Sequence, residues 1–202
     1  MGTNCAPFLA NLYLYSYEAE YIESLELTDI AKARGFHMSF RLIDDLLSVD
    51  NPCSADFVDA KCNFYPPALR LNETTAPGDV VANFVGMKIS IKSRHRCRVR
   101  VYDKRADFPF QVRMYPHLRS NIPLSLAYGV FIGQLHRYHR ICTNVNDFLR
   151  CSIALARKLI AQCYVKRILA RRFRVFLSCR VKKYRRPAPL LLHQFLAALR
   201  DL

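Results

Sequence analysis

The stretch Phe40-Arg41-Leu42-Ile43-Asp44-Asp45-Leu46-Leu47 places two adjacent carboxylates between two short apolar runs. Upstream of the pair, apolar side chains recur at every second position from Met38 to Leu42, and apolar residues resume from Leu46 to Val49. Alternation with a period of two is typical of a half-buried strand. The sequence therefore predicts a β-hairpin over 37–49 with Asp44-Asp45 at its tip.

A carboxylate pair on a tight turn suggests a metal site. Two neighbouring negative charges repel each other, and a divalent cation removes that cost. Mg²⁺ takes hard oxygen ligands and keeps positions open for water and phosphate oxygens. Two such ions about 4 Å apart can activate an attacking hydroxyl and stabilise the leaving oxygen in phosphoryl transfer. The alternative is that Asp44 and Asp45 are ordinary turn residues, or cap a helix starting at Leu46.

The hairpin stands between a helical segment and a region of strands. Apolar residues with helical spacing from Phe8 predict a long helix, with Pro7 in its first turn and Asn4 or Thr3 as its cap; Gly35 either ends this helix or begins the next turn. A strand is predicted to begin at Leu69, and another over 84–91 pairs with a partner over 98–102. After Pro116 the period changes to 3.6, which predicts helices over about 125–140, 147–163 and 166–183.

Charge points to a polyanionic partner. The chain carries 31 Lys and Arg against 16 Asp and Glu, a formal net charge of +15. Segment 1–50 holds half of the acids, whereas no acid occurs between Asp147 and Asp201. Apolar residues alternate with the C-terminal basic ones, which favours an ordered amphipathic helix over a solvated tail. Nucleic acid is the first candidate partner, ahead of an anionic membrane surface or packing within a ribosome.

The remaining composition excludes several classes of protein. Eight cysteines form no Cys-x-x-Cys pair, which argues against a zinc site and favours reduced, buried thiols. The sequence has no recognisable secretory signal, and no apolar run reaches the roughly 18 residues needed to span a bilayer. The protein is expected inside the cell, in the nucleus or cytoplasm, without a membrane partner.

Taken in order, these segments resemble the motifs of reverse transcriptases, and in particular those of Penelope-like and related mobile elements. The run from Met1 to Leu12 (MGTNCAPFLANL) looks like motif B, whose small residues line the floor under the incoming nucleotide. Leu42-Ile43-Asp44-Asp45 looks like motif C, the metal-binding Tyr-x-Asp-Asp box. Leu69 to Thr74 looks like motif D, and Phe84 to Ile89 looks like motif E, a strand that grips the primer end. Gly133 to Cys142 is similar to a thumb helix.

The resemblance implies a fold and a reaction. The fold would be α/β (α+β), with a partial palm and an antiparallel sheet at 1–115 and a basic, all-helical thumb at 116–202. The reaction would be RNA-directed DNA synthesis from deoxynucleotide triphosphates on an RNA template and a DNA primer, with two Mg²⁺ or Mn²⁺ ions. The implied metal and catalytic residues are Asp44 and Asp45. The implied nucleotide and template site is formed by Gly2, Asn4, Ala6 and Pro7, and the implied primer grip by Phe84, Gly86 and Met87. The implied contacts to the nucleic-acid backbone are made by Arg137, Arg140, Lys166, Arg167, Arg171 and Arg172.

Three departures from the family pattern bear on activity. The motif C box normally begins with an aromatic residue, and Leu42 stands there. Motif D usually carries a lysine able to protonate the leaving group, and Asn72, Glu73 and Thr74 occupy that neighbourhood. Motif A, which supplies a third catalytic aspartate, should precede motif B. The chain is therefore expected to be a fragment that begins within the palm and is inactive alone.

Two other hypotheses stay open from the sequence. The first is a catalytically dead remnant that binds nucleic acid through its basic thumb, which predicts salt-sensitive binding unaffected by Asp44→Ala. The second is a structural protein, unrelated to polymerases, that uses its charge to pack on RNA.

Overall fold

The computed structural model divides the chain into two compact units, Met1–Asp79 and Val80–Leu202. It describes residues 5–59, 64–76, 78–93, 96–110, 112, 114–180 and 187–200. Both helices and antiparallel strands are present, so the chain is an α+β protein. Because the second unit begins at Val80, the strands of residues 81–101 group with the helices that follow them. The division into a palm at 1–115 and a thumb at 116–202 stays a prediction.

The first unit combines two helices with a hairpin. Helix α1 spans Ala6–Thr28 and α2 spans Ile30–Gly35. Strand β1 (Ser39–Leu42) pairs antiparallel with β2 (Asp45–Ser48), with Phe40 opposite Leu47 and Leu42 opposite Asp45. A short 3₁₀ helix follows at Ser54–Phe57. The hairpin predicted over 37–49 is therefore present.

Three aromatic residues form the core of the first unit. Phe36, Phe57 and Phe64 are buried, and Tyr21, Ile22 and Leu46 are among the half-buried residues that pack against them. The rings of Phe57 and Phe64 meet at 4.5 Å in an edge-to-face arrangement, a favoured geometry for aromatic pairs. Through Leu46, the second strand of the hairpin is fixed to this core.

The second unit joins a small sheet to a helical bundle. Strands β3 (Val81–Phe84), β4 (Met87–Ser93) and β5 (Arg96–Val101) form an antiparallel sheet in the order β3-β4-β5. Helices α3 (Leu124–Ile141), α4 (Val145–Ile160), α5 (Lys166–Arg180) and α6 (Ala188–Arg200) pack on one apolar core. Its largest fully buried side chains include Phe131, Phe148, Phe173 and Phe195. The three predicted helices correspond to α3, α4 and α5.

Two local predictions are wrong, and a third cannot be compared with the structure. Helix α1 begins at Ala6 with Cys5 as its N-cap residue, which makes no capping hydrogen bond, and the predicted caps Thr3 and Asn4 lie outside the described residues. Residues 69–76 contain no strand. The strand predicted over 84–91 is broken by a turn at Val85-Gly86, where both residues have positive φ, 47° and 72°. Two positive φ angles in a row match the two-residue hairpin turns that fit the twist of the flanking strands.

Candidate functional site

Asp44 and Asp45 lie at the tip of the β1–β2 hairpin, as the sequence predicts. Ile43 and Asp44 are the two turn residues that connect Leu42 to Asp45, and both aspartates are exposed. Ile43 has a φ of 56°, which is uncommon for a residue branched at Cβ. The stretch Leu42–Asp45, called the hairpin tip below, therefore presents two neighbouring carboxylates to solvent on a turn whose backbone is held in an unfavourable conformation.

A cluster of polar side chains holds the hairpin tip against α1. The side-chain oxygen of Asn11 accepts hydrogen bonds from the backbone N–H of Ile43 at 2.9 Å and from the guanidinium of Arg41 at 2.8 Å. Arg41 also donates to the backbone carbonyl of Asn11 at 2.9 Å and to Glu18 at 2.6 Å. The hydroxyl of Tyr65 donates to the same oxygen of Glu18. We call Asn11, Glu18, Arg41 and Tyr65 the support cluster.

The support cluster is partly shielded from water. The side chains of Arg41 and Glu18 are 11% and 20% exposed. Burial, together with the hydrogen bond to Glu18, raises the pKa of Tyr65 far above its usual range, so this hydroxyl remains a donor at physiological pH. Arg41 is part of the quoted hairpin sequence, but Asn11 and Glu18 lie on α1, and no local pattern connects them to it.

The predicted nucleotide-site residues are only partly described. Gly2 and Asn4 lie outside the described residues. Ala6 and Pro7 form the first turn of α1, where a proline is tolerated because no intrahelical bond is lost. Asn11 lies one turn further along the same helix and contacts the hairpin tip, so the beginning of α1 and the carboxylate pair are neighbours in the first unit.

The carboxylate pair is a small set of candidate metal ligands. Among the described residues, no group of three or more His, Cys, Asp or Glu side chains is arranged to hold a metal ion. Asp44 and Asp45 supply the type of oxygen that Mg²⁺ binds, and Mg²⁺ often uses only one or two carboxylates together with water and phosphate oxygens. The donor type therefore fits Mg²⁺, with the remaining positions left to other ligands.

The predicted primer-grip residues lie on the β3–β4 turn. Phe84 and Met87 face each other across the turn, and Gly86 lies within it at a φ of 72°. A Cβ placed on Gly86 would come within 2.7 Å of Nη2 of Arg137, a residue of α3. The structure thus brings together two predicted site residues, Gly86 and Arg137, and a side chain at position 86 would both strain the backbone at positive φ and require the Arg137 guanidinium to shift.

The predicted backbone-contacting residues are exposed on two helices. Arg137 and Arg140 lie near the end of α3, and Lys166, Arg167, Arg171 and Arg172 lie on α5. Arg167, Arg171 and Arg174 are spaced at i, i+4 and i+7 on one exposed face of α5, opposite the buried Leu169 and Phe173. We call these three residues the arginine ridge. Arg174 was missing from the predicted set, although the same spacing in the sequence signals it.

The segment predicted as motif D is irregular and exposed at its polar residues. Asn72, Glu73 and Thr74 are exposed and lie outside any strand.

Among the described helices, none is both long enough and apolar enough to cross a bilayer.

Comparison with known proteins identifies no relative: no family model matches the chain, and no curated protein or solved structure is significantly similar to it.

Proposed function

We propose that this chain is part of a reverse transcriptase and contributes to template-directed DNA synthesis on RNA. The observation that carries the proposal is the hairpin tip with Asp44 and Asp45, which Asn11 holds beside the first turns of α1. An adjacent carboxylate pair at an exposed turn, anchored by half-buried polar contacts, is an arrangement suited to gathering divalent cations next to a nucleotide.

Each part of the site has a distinct role in this proposal. Asp44 and Asp45 would hold Mg²⁺, which when bound supplies charge stabilisation for nucleotidyl transfer. The support cluster would fix the position of both carboxylates, since a shift of about 1 Å in a catalytic group can cost roughly 100-fold in rate. The exposed basic residues of α3 and α5 would contact phosphates of the primer–template duplex, which positions the duplex without reading its sequence.

Metal binding at the hairpin tip can be measured without catalysis. Fe²⁺ replaces Mg²⁺ at such sites and, with ascorbate and oxygen, cleaves nearby backbone. Cleavage of the full chain is expected next to residues 42–46, suppressed by excess Mg²⁺ and lost in Asp44→Asn and Asp45→Asn. Asp50→Asn, at another exposed aspartate of the first unit, is the matched control and should leave the cleavage unchanged. Cleavage elsewhere, or equal cleavage in all variants, would contradict the metal site.

Catalysis is tested by primer extension on an RNA template. The proposal predicts nucleotide incorporation that requires Mg²⁺ or Mn²⁺ and disappears in Asp44→Asn but not in Asp50→Asn. Incorporation that persists in Asp44→Asn would show that a different site, or a contaminant, is responsible.

The second candidate function is nucleic-acid binding without catalysis. It is favoured by the small ligand set at the hairpin tip and by the arginine ridge, which lies in a stretch with no acidic residue between Asp147 and Asp201. This candidate predicts duplex binding that weakens steeply with salt, that Asp44→Ala leaves intact, and that is accompanied by no incorporation.

A further inference from the structure

A groove runs along the second half of α4 in the second unit. It has a volume of about 560 Å³ and lies between α4 and the segment that follows β5. Its apolar wall includes Phe108, Phe110, Val112 and Met114, and its polar wall includes Arg157 and Lys158. We call it the α4 groove. A volume of this size is ordinary for a site that binds a small organic molecule or one unit of a polymer.

The side chains of the apolar wall are unusually exposed to solvent. Phe108 and Phe110 stack on each other, with ring centroids 5.4 Å apart and planes 24° apart. Phe110 is 63% exposed, and Phe108, Val112 and Met114 are each more than 40% exposed. These four residues occupy alternate positions of one irregular segment. A contiguous apolar patch on a protein surface commonly marks an interaction site.

The charges around the groove select an anionic ligand. Among the described residues that line it are Arg105, Arg157 and Lys158 and one acid, Asp103. The guanidinium of Arg105 donates to Asp103 at 2.6 Å and holds the pKa of that carboxyl below its usual range, so Asp103 neutralises one of the three cations. Lys158 lies 3.7 Å from the same carboxylate, and Arg157 is exposed. The groove therefore keeps a positive excess beside its aromatic wall.

We propose that the α4 groove binds single-stranded nucleic acid, with a base stacked on Phe110 and the adjoining phosphates beside Arg157 and Lys158. A positively charged groove with an accessible aromatic ring is the combination that single strands use, because every base has a face that can stack. The bases of a duplex already stack on each other, so the groove discriminates single strands from duplexes. This inference deepens the nucleic-acid-binding part of the proposed function and does not depend on catalysis.

The experiment measures binding of the full chain to a short oligothymidine labelled with fluorescein, by fluorescence anisotropy. Phe110→Ala is expected to raise the Kd by about 5- to 150-fold, the range that follows from the loss of one stacked base. Phe110→Tyr retains the ring and should bind like the original chain. Phe110→Leu retains apolar area without a stacking face and should bind like Phe110→Ala. An unchanged Kd in Phe110→Ala, or rescue by Phe110→Leu, would overturn the proposal.

Two controls separate the groove from general effects. Leu126, on α3, is 64% exposed and lies outside the groove, so Leu126→Ala should leave the Kd unchanged. Arg157→Gln is expected to lower the slope of log K against log salt by about 0.7, the value for one phosphate contact on a single strand. Lys92→Gln, an exposed basic site outside the groove, should not change that slope.

The outcome is distinguishable from that of the polymerase proposal. Binding of a blunt duplex should be equal in Phe110→Ala and the original chain, whereas equal losses on duplex and single strand would overturn the stacking assignment. The effect of Phe110→Ala on single-strand binding relative to duplex binding is measured without added metal or nucleotide. A chain without Mg²⁺-dependent incorporation can therefore still satisfy every arm of this test, and an active chain can fail it.

Discussion

The side-chain oxygen of Asn11 accepts the backbone N–H of Ile43 at 2.9 Å, which ties the first half of α1 to the turn that carries Asp44. The same oxygen accepts from Arg41 at 2.8 Å, so a single amide group fixes both the turn and the strand leading into it. The turn that carries the carboxylate pair is therefore anchored at Ile43 by a residue 32 positions earlier in the chain.

Removal of the Asn11 side chain should loosen the hairpin tip selectively. Asn11→Ala deletes the acceptor of two hydrogen bonds at a partly exposed site, and the expected loss in the free energy of unfolding is about 1–2 kcal/mol. Hydrogen exchange of the Ile43 amide should become faster. Ser16→Ala, on the same helix, removes a hydroxyl that bonds only to the backbone of its own helix and should leave Ile43 exchange unchanged.

Arginine cannot be replaced by lysine at position 41. The guanidinium of Arg41 reaches Asn11 and Glu18 at once, whereas a lysine ammonium is a point charge on a different stem. Arg41→Lys should reduce the free energy of unfolding by about 2 kcal/mol and increase hydrogen exchange of the peptide covering 39–48. Arg34→Lys, at an exposed site on α2, is the control. Equal protection of 39–48 in both variants would contradict a supporting role for Arg41.

Asp147 makes the second unit sensitive to acid. Its carboxylate is 1% exposed and accepts two hydrogen bonds from Arg98 and one from Arg150, each at 2.7 Å. Its hydrogen bonds with Arg98 hold the pKa of Asp147 below its ordinary value. The pKa of Asp147 is lower in the folded chain than in the unfolded chain. Its contribution to the free energy of unfolding is therefore present above about pH 4, and it is lost as the pH falls further, through the folded pKa.

The Asp147→Asn variant tests this contribution. At pH 7 it should cost about 2 kcal/mol in the free energy of unfolding, a modest figure because Arg98 and Arg150 are partly exposed and can be rehydrated. The difference from the original chain should shrink when urea unfolding is repeated at pH 3. Asp50→Asn, at an exposed aspartate, should show no such pH-dependent difference.

Gly86 and Arg137 should show coupling in a double-mutant cycle. Gly86→Ala places a Cβ at a φ of 72° and 2.7 Å from Nη2 of Arg137, so it incurs both backbone strain and a displaced guanidinium. Gly78 has a φ of 89° with no heavy atom within 4 Å of an added Cβ, so Gly78→Ala measures the backbone cost alone, about 1 kcal/mol. In an Arg137→Ala background, the cost of Gly86→Ala should fall towards that value.

The arginine ridge should govern duplex binding. Arg171→Gln is expected to lower the slope of log K against log salt by about 1, since one phosphate contact is lost. The affinity should fall equally on sequences of different composition, because phosphate contacts carry no sequence information. Lys92→Gln, outside the ridge, should preserve the slope. A loss of affinity in Arg171→Gln that differs between duplex sequences would contradict the assignment.

Local sequence patterns predicted the elements better than their connections. The hairpin at 39–48 followed from alternation around Asp44-Asp45, and α3, α4 and α5 followed from their apolar period. The turn at Val85-Gly86 was missed because apolar alternation continues across a two-residue turn, and because Val85 is an unusual residue at positive φ. The glycine was the available signal, since a glycine within a strand pattern often marks a break.

The contacts that hold the candidate site in place could not be predicted from local sequence patterns. Asn11 and Glu18 meet Arg41 only when α1 folds against the hairpin, and Arg98 meets Asp147 across 49 positions of sequence. No period or motif links such pairs. The exposed pair Phe108 and Phe110 also lies in a segment without regular structure, where neither helical nor strand periodicity applies.

The composition of the arginine ridge limits how its positive charge can be changed. A guanidinium keeps its charge at every pH compatible with a folded protein, and the surrounding sequence from Phe148 to Arg200 contains no carboxylate to neutralise it. Acidification would therefore leave the attraction of this helix for polyanions unchanged. Under the proposed function, release of a nucleic-acid strand would depend on ionic strength, on a competing polyanion, or on enzymatic addition of a negative group such as phosphate to the neighbouring Ser178.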